Sequence, residues 1–202
     1  MRRSRAFRRV VAALLFGQIA AAPAARADSA KDFLLAAFAA EQAASHKRTT
    51  LTYTRGAEQT KYVIERILPD RVRVVKRGPA GEQEVVIIGA RMYQKANGAW
   101  RMTSAPVPVD LLPSPVDLFR NRLDQVTEGS RTREDGVSLR SLQATITWTS
   151  AVSENSGTLQ FKVEAVSKRP RRMSFKGQCG GAPCVFSQTF AYGKAISIEP
   201  PI

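Results

Sequence analysis

Two cysteines, Cys179 and Cys184, are the residues of this sequence whose spacing most directly suggests chemistry. They stand in the segment CGGAPC, where two glycines and a proline favour a tight reversal that brings the two Cβ atoms together. A metal pair would need more ligands, and His46, the single histidine, is distant in sequence. A CxxC redox motif is absent. We therefore predict a Cys179–Cys184 disulfide at the tip of a hairpin, in a chain that reaches an oxidising compartment.

Catalytic motifs are missing from the sequence. There is no G-x-S-x-G nucleophile motif and no glycine-rich phosphate loop. A serine–histidine site would have to use His46, which follows the first predicted helix in the polar segment SHKR. The paired carboxylates Glu134 and Asp135 precede a glycine and are typical of a solvated turn. We predict that the protein is not an enzyme and needs no cofactor or metal.

The first 27 residues predict export. Five arginines lie in the first nine residues, an apolar run extends from Val10 to Ala22, and Ala25-Arg26-Ala27 forms an A-x-A cleavage site. This is the pattern of a secretory signal peptide, and the apolar run is shorter than the ~20 residues that span a bilayer. We predict cleavage after Ala27, a single domain over residues 28–202 and a periplasmic location. No cysteine stands at the cleavage site, so a lipid anchor is not expected there.

The charge of the chain is strongly positive, with a formal net value of +14. Removing residues 1–27 takes away six arginines and leaves 25 basic and 17 acidic residues, a net charge of +8. The one dense run is KRPRR at 168–172. It is compatible with a solvated turn or with a segment close to anionic lipid headgroups. Nucleic-acid binding is not predicted, because the run has no interleaved aromatic residues.

Hydrophobic periodicity divides the chain into one helix and a series of strands. Residues 29–46 have helical spacing, with Ser29 as the N-cap and Phe33, Leu34, Ala37, Phe38 and Glu41 on one face. Period-two segments or short apolar runs follow at 48–55, 61–68, 71–77, 84–88, 91–95, 99–103, 137–150, 157–165, 171–178, 184–193 and 195–201. About ten strands with tight turns predict an antiparallel sheet in an α+β fold.

The middle segment, residues 104–126, breaks the strand pattern with four prolines up to Pro115. Ser114 can cap a short helix that begins at Pro115 and carries Val116, Phe119 and Leu123 on one face. Because the apolar face of the sheet must be covered, we expect the first helix and this middle helical segment to lie on it.

The order of elements, with three short phrases, resembles a known superfamily. The phrases are Pro69-Asp70-Arg71 between strands, the stretch from Gly89 through Tyr93 to Gly98 and Trp100, and the closing ISIEPP at 196–201. They are similar to LolA-like and LppX/LprG-like periplasmic proteins, the lipoprotein-carrier superfamily, over nearly all of the chain after residue 27. The resemblance implies a strongly curved half-barrel sheet, helices on its concave side, and a hydrophobic cavity for acyl chains or similar apolar molecules.

The expected function is therefore binding or carrying a lipid-like ligand, without catalysis. The alternative is an envelope interaction or assembly module with a filled core. A membrane surface or an envelope protein is a further expected partner, and we expect a monomer. The candidate ligand-binding residues are Phe33, Phe38, Ile88, Met92, Tyr93, Trp100, Phe119, Trp148 and Phe161.

The stretch from Ile87 to Trp100 predicts a hairpin. Asn97-Gly98 is a strong signal for a type I′ turn, and Gly89 predicts a bend that curves the sheet. We expect Ile88, Met92, Tyr93 and Trp100 to shape the cavity. Contact with the ligand and burial in a dry core are both compatible with this pattern.

Overall fold

The computed structural model describes residues 29–103, 122–150, 153–193 and 196–201, with the side chains of 148–150 and 153–154 excepted. One helix, α1 (Ala30–Gln42), opens this part of the chain. Ser29 caps it as predicted, since its Oγ accepts a hydrogen bond from the backbone N–H of Asp32 at 3.1 Å. The residues predicted on one helical face are the ones that α1 buries.

Eleven strands follow and form one curved, open sheet that is antiparallel throughout. They are β1 (His46–Arg55), β2 (Glu58–Ile67), β3 (Arg71–Gly78), β4 (Gly81–Ile88), β5 (Arg91–Ala96), β6 (Ala99–Thr103), β7 (Leu123–Glu134), β8 (Val137–Ser150), β9 (Ser153–Glu164), β10 (Pro170–Cys179) and β11 (Ala182–Tyr192).

The strand order consists of two meanders that meet in the middle of the sheet. Strands β1 to β6 run outward to one edge, strands β7 to β11 run inward from the other, and β1 pairs with β11. The central register joins Lys47 to Tyr192 and Arg55 to Cys184. The predicted antiparallel α+β class is confirmed.

Three details of the sequence prediction differ from the structure. Strand β7 was not predicted, because its mostly exposed residues show no clean alternation. Residues 196–201 form no strand but an extended tail that packs against the sheet. Gly89 lies in the turn after β4, with φ +58°, rather than at a bend inside a strand. The predicted middle helix falls mainly on residues 104–121, outside the described part, but Leu123, predicted on its face, is the first residue of β7.

The predicted type I′ geometry at Asn97-Gly98 is supported by positive φ angles of 51° and 79°. The turn joins β5 to β6, as the sequence indicated. Pro69 and Asp70 lie in the turn between β2 and β3, also as predicted.

The predicted disulfide joins Cys179 to Cys184 across the β10–β11 turn, with the Cα atoms 5.8 Å apart. Gly180 and Gly181 supply the positive φ angles that this turn requires, at 60° and 76°. The disulfide therefore closes the free end of the hairpin beside β1 and β9.

Replacing Cys179 and Cys184 together with serine should lower the free energy of unfolding by about 2 kcal/mol, since so short a loop restricts the unfolded chain only modestly. Urea denaturation of the double variant beside the unreduced wild-type protein measures the difference. Two free thiols in the native protein would contradict the disulfide itself.

Candidate ligand-binding face

Successive side chains of a strand point to opposite faces of a sheet, and paired residues share a face. The face that carries Leu51 and Phe161 contacts α1, and we call it the helix face. The other is called the opposite face. The strand pairing assigns each candidate residue to one of them.

Beneath α1 the helix face is a dry, closely packed core. Phe33 and Phe38 of the helix and Phe161 of β9 are all at most 2% exposed. The Phe38 and Phe161 rings meet edge to face with centroids 5.6 Å apart, and Phe175 stacks on Phe186 at 5.1 Å. These predicted residues lie together, and they fill the space between α1 and the sheet.

A second apolar area continues along the helix face on β3, β4 and β5. Val85 and Met92 are buried and pack with Ile87 in a cluster separate from the core under α1. Val74, the register partner of Val85, is 1% exposed. We call Val74, Val85, Ile87 and Met92 the second apolar area. Val74 and Val85 were missed as candidates, although apolar runs in RVRVVKR and EVVII marked both strands.

The other predicted hairpin residues lie on the opposite face. Tyr93 follows Met92 in β5 and therefore points the other way, where it packs with Val86 and Ile198. Ile88 and Trp100 join this cluster, and Trp100 is half-buried. The prediction that one cavity is shaped by Ile88, Met92, Tyr93 and Trp100 is therefore wrong in its geometry, because strand alternation separates Met92 from the other three.

The last two candidates cannot be assigned in this way. Phe119 and the side chain of Trp148 lie outside the described part of the chain. The helix face thus holds four of the predicted residues, Phe33, Phe38, Met92 and Phe161.

A buried ion pair lies at one end of the helix face. Glu41 at the end of α1 forms an ion pair with Lys47 of β1, and both side chains are less than 10% exposed. Arg66 of β2 donates hydrogen bonds to the carbonyl oxygens of Glu41 and Gln42 at 3.1 and 2.9 Å. Burial raises the pKa of the nearby Tyr192 hydroxyl well above its ordinary value. These contacts fix the C-terminal end of α1 to the sheet.

The opposite face carries a ladder of alternating charges across five strands. Glu65 accepts a hydrogen bond from Arg48 at 2.7 Å, and Glu84 accepts one from Arg73 at 2.8 Å. Arg73 also lies 3.4 Å from Glu65, which links the two pairs. Lys95 ends the ladder, 3.6 Å from Glu84 and 5.8 Å from the Trp100 ring centroid. Each carboxylate has cations on both sides, so the ladder links the five strands across the sheet.

A trough of about 430 Å³ lies over strands β7 to β11. The side chains that project into it on the opposite face are mostly hydroxyl, amide or cationic groups, including Ser141, Gln160, Arg172 and Thr189. Within the described ranges there is also no group of three or more His, Cys, Asp or Glu residues that could hold a metal ion. No helix of this part is long and apolar enough to cross a membrane.

Comparison with known proteins identifies the fold. No family profile and no curated protein matches the sequence. Among solved structures, the lipoprotein LppX of Mycobacterium tuberculosis matches 82% of this chain and 98% of its own, with 13% identity and a TM-score of 0.55. LprF of Mycobacterium bovis matches 85% and 96%, with 13% identity and a TM-score of 0.58. MucB matches with 16% identity and a TM-score of 0.50, and the match spans 62% of the MucB chain. The resemblance predicted from the sequence is confirmed for the fold.

Proposed function

We propose, from the fold that this chain shares with LppX and LprF, that it is an exported protein which holds a lipid-like apolar ligand on its helix face. The observation that carries the proposal is the second apolar area, where Ile87 is half-buried, although Val74, Val85 and Met92 are as buried as the core under α1. It continues the apolar surface beyond the core that α1 fills, and its residues are aliphatic or thioether groups. Burying acyl chain against such a surface is favourable by roughly 0.8 kcal/mol per methylene. No catalytic step belongs to this function.

A ligand on the helix face should change the emission of a tryptophan placed there. Ile87 is half-buried in the second apolar area, and Ile87→Trp can be studied with Trp100 and Trp148 replaced by phenylalanine. Titration with a long-chain fatty acid should shift its emission to shorter wavelength, because the chain displaces water from the indole.

The matched control keeps Trp100 as the single tryptophan, on the opposite face of the same hairpin. Its emission should not change. A shift at Trp100 with none at residue 87 would move the ligand to the opposite face. Native mass spectrometry of protein from its own host provides an independent check, since co-purifying lipid is expected.

The second candidate function is an envelope interaction module with a filled core. The dry packing of Phe38, Phe161 and Phe175 under α1 favours it, since that part of the helix face has no room for a ligand. An empty chain by native mass spectrometry, with no fatty-acid response at residue 87, would select this function over the carrier.

Export with cleavage after Ala27 is part of the proposal, supported by the signal-like N-terminus and by the disulfide. N-terminal sequencing of the periplasmic form should begin at Asp28. Recovery of the unprocessed chain in the cytoplasm would contradict it.

A further inference from the structure

The turn between β9 and β10 presents a valine to solvent in a fixed conformation. Val166 is 94% exposed at its tip. Three hydrogen bonds hold the turn: Glu164 N–H to the Arg169 carbonyl at 3.0 Å, Lys168 N–H to the Glu164 carbonyl at 3.1 Å, and Arg169 N–H to Ser167 Oγ at 3.2 Å. Among the residues described, Val166 is the most exposed of the large apolar side chains.

The same end of the sheet concentrates positive charge. The β7–β8 turn lies beside the valine turn, since the Ala165 N–H donates to the Ser138 carbonyl at 2.9 Å. Around the two turns, six cations outnumber three carboxylates, Glu134, Asp135 and Glu164. The cations are Arg133, Lys162, Lys168, Arg169, Arg171 and Arg172.

Ion pairs neutralise only part of this charge. Glu164 pairs with Arg171, and Glu134 pairs with Lys162 and Arg172. Among the residues described, Arg169 has no carboxylate in ion-pair contact and lies over the Tyr192 ring instead, 5.3 Å from its centroid.

The charged turn also adjoins the helix face. Lys168 lies 5.7 Å from the ring centroid of Phe33, and the Arg140 guanidinium lies 3.7 Å from it. Phe33 belongs to the first turns of α1. A partner that binds this end of the sheet would therefore also contact the edge where α1 packs against the strands.

We infer that the β9–β10 turn, with the cations around it, is a docking surface for an anionic lipid bilayer. Val166 enters the interfacial region, and the surrounding guanidinium and ammonium groups contact headgroup phosphates. Cations beside an inserted apolar side chain are the combination that anionic membrane surfaces bind. An acidic protein or a nucleic acid would match the charge but gives no reason for the valine at the tip. This inference does not depend on the carrier function, because a ligand-free interaction module can dock in the same way.

Vesicle sedimentation of the exported protein tests the surface. Binding should be strong to vesicles of phosphatidylcholine with 30% phosphatidylglycerol, weak to pure phosphatidylcholine, and reduced by salt. The double variant Lys168→Gln/Arg169→Gln should bind about 30-fold more weakly, at about fivefold for each charge removed. Val166→Asp should also weaken binding, and it leaves all the cations in place.

Matched controls stand at the other end of the strands. Arg55 and Lys176 are exposed there, so Arg55→Gln/Lys176→Gln removes the same charge. Val185, 45% exposed beside them, provides Val185→Asp as the partner of Val166→Asp. The controls should keep nearly full affinity. If the test and control variants lose equal affinity for the vesicles, the effect is one of net charge and the inference is overturned. Absence of binding to anionic vesicles would also overturn it.

A direct measurement uses an environment-sensitive dye attached through the substitution Val166→Cys or Val185→Cys. Emission should shift on vesicle addition only at position 166. A shift at neither position, with vesicle binding present, would place the contact elsewhere and also overturn the inference. Fatty-acid binding at the helix face is measured without vesicles, so each proposal can fail without the other.

Discussion

Replacing Lys47 with methionine should lower the free energy of unfolding by about 3–5 kcal/mol. The substitution leaves the Glu41 carboxylate buried between α1 and the sheet without its cation, and Glu41 is only 2% exposed. A buried charge that loses its partner keeps the cost of desolvation and loses the compensating attraction. Chemical denaturation monitored by circular dichroism measures the loss.

The double variant Lys47→Met/Glu41→Leu is the control. Replacing both members of a buried pair with apolar groups is often neutral, so most of the stability should return. A loss below about 1 kcal/mol in the single variant would mean that water reaches Glu41 and that the pair does not fix the helix.

The second large effect is expected at Gly157, where alanine should destabilise the protein by about 3 kcal/mol. A Cβ atom there would lie 2.5 Å from a carbon of the Phe175 ring and 2.6 Å from the Lys176 carbonyl oxygen. Gly157 pairs with Gly177 across β9 and β10, and the bare backbone of the pair makes room for the Phe175 ring. Backbone cannot move aside as a flexible side chain can.

Gly129→Ala in β7 is the matched control, since its Cβ would meet Ser141 only at an ordinary contact distance of 3.7 Å. It should be neutral or slightly stabilising, because alanine restricts the unfolded chain. Similar thermal midpoints for the two variants would contradict the close packing of Phe175 on the glycine pair.

Periodicity predicted α1 well because its buried residues follow one helical spacing. Glu41 was assigned to that face although it is charged. Its pairing with Lys47 was not predicted, because the partner is set by how the chain reverses between α1 and β1. The sequence pattern identifies which side chains of a helix or strand share a face. Which residues that face contacts depends on the tertiary packing.

The same limit explains the division of the candidate site. Met92 and Tyr93 were grouped because both are apolar and lie in one hairpin, although period two separates neighbouring residues. The covering of Tyr93 by Ile198 depends on where a tail about a hundred residues later returns, which the local pattern does not contain. Strand β7 was missed for a related reason. Strand β7 lies at an edge of the sheet, and its mostly exposed polar residues give little hydrophobic signal in the sequence.

The pairing of β1 with β11 bears on how the molecule folds. Every other strand pair in the sheet joins neighbours in the chain, whereas this pair brings residue 47 to residue 192. Local hairpins close quickly, and contacts between distant segments form slowly because their loop-closure entropy must be overcome first. Until β11 is in place, the first six strands leave β1 with an unpaired edge, the kind of edge that recruits strands of other molecules. The completion of the sheet waits for the last strand of the chain, and until then aggregation competes with folding at β1.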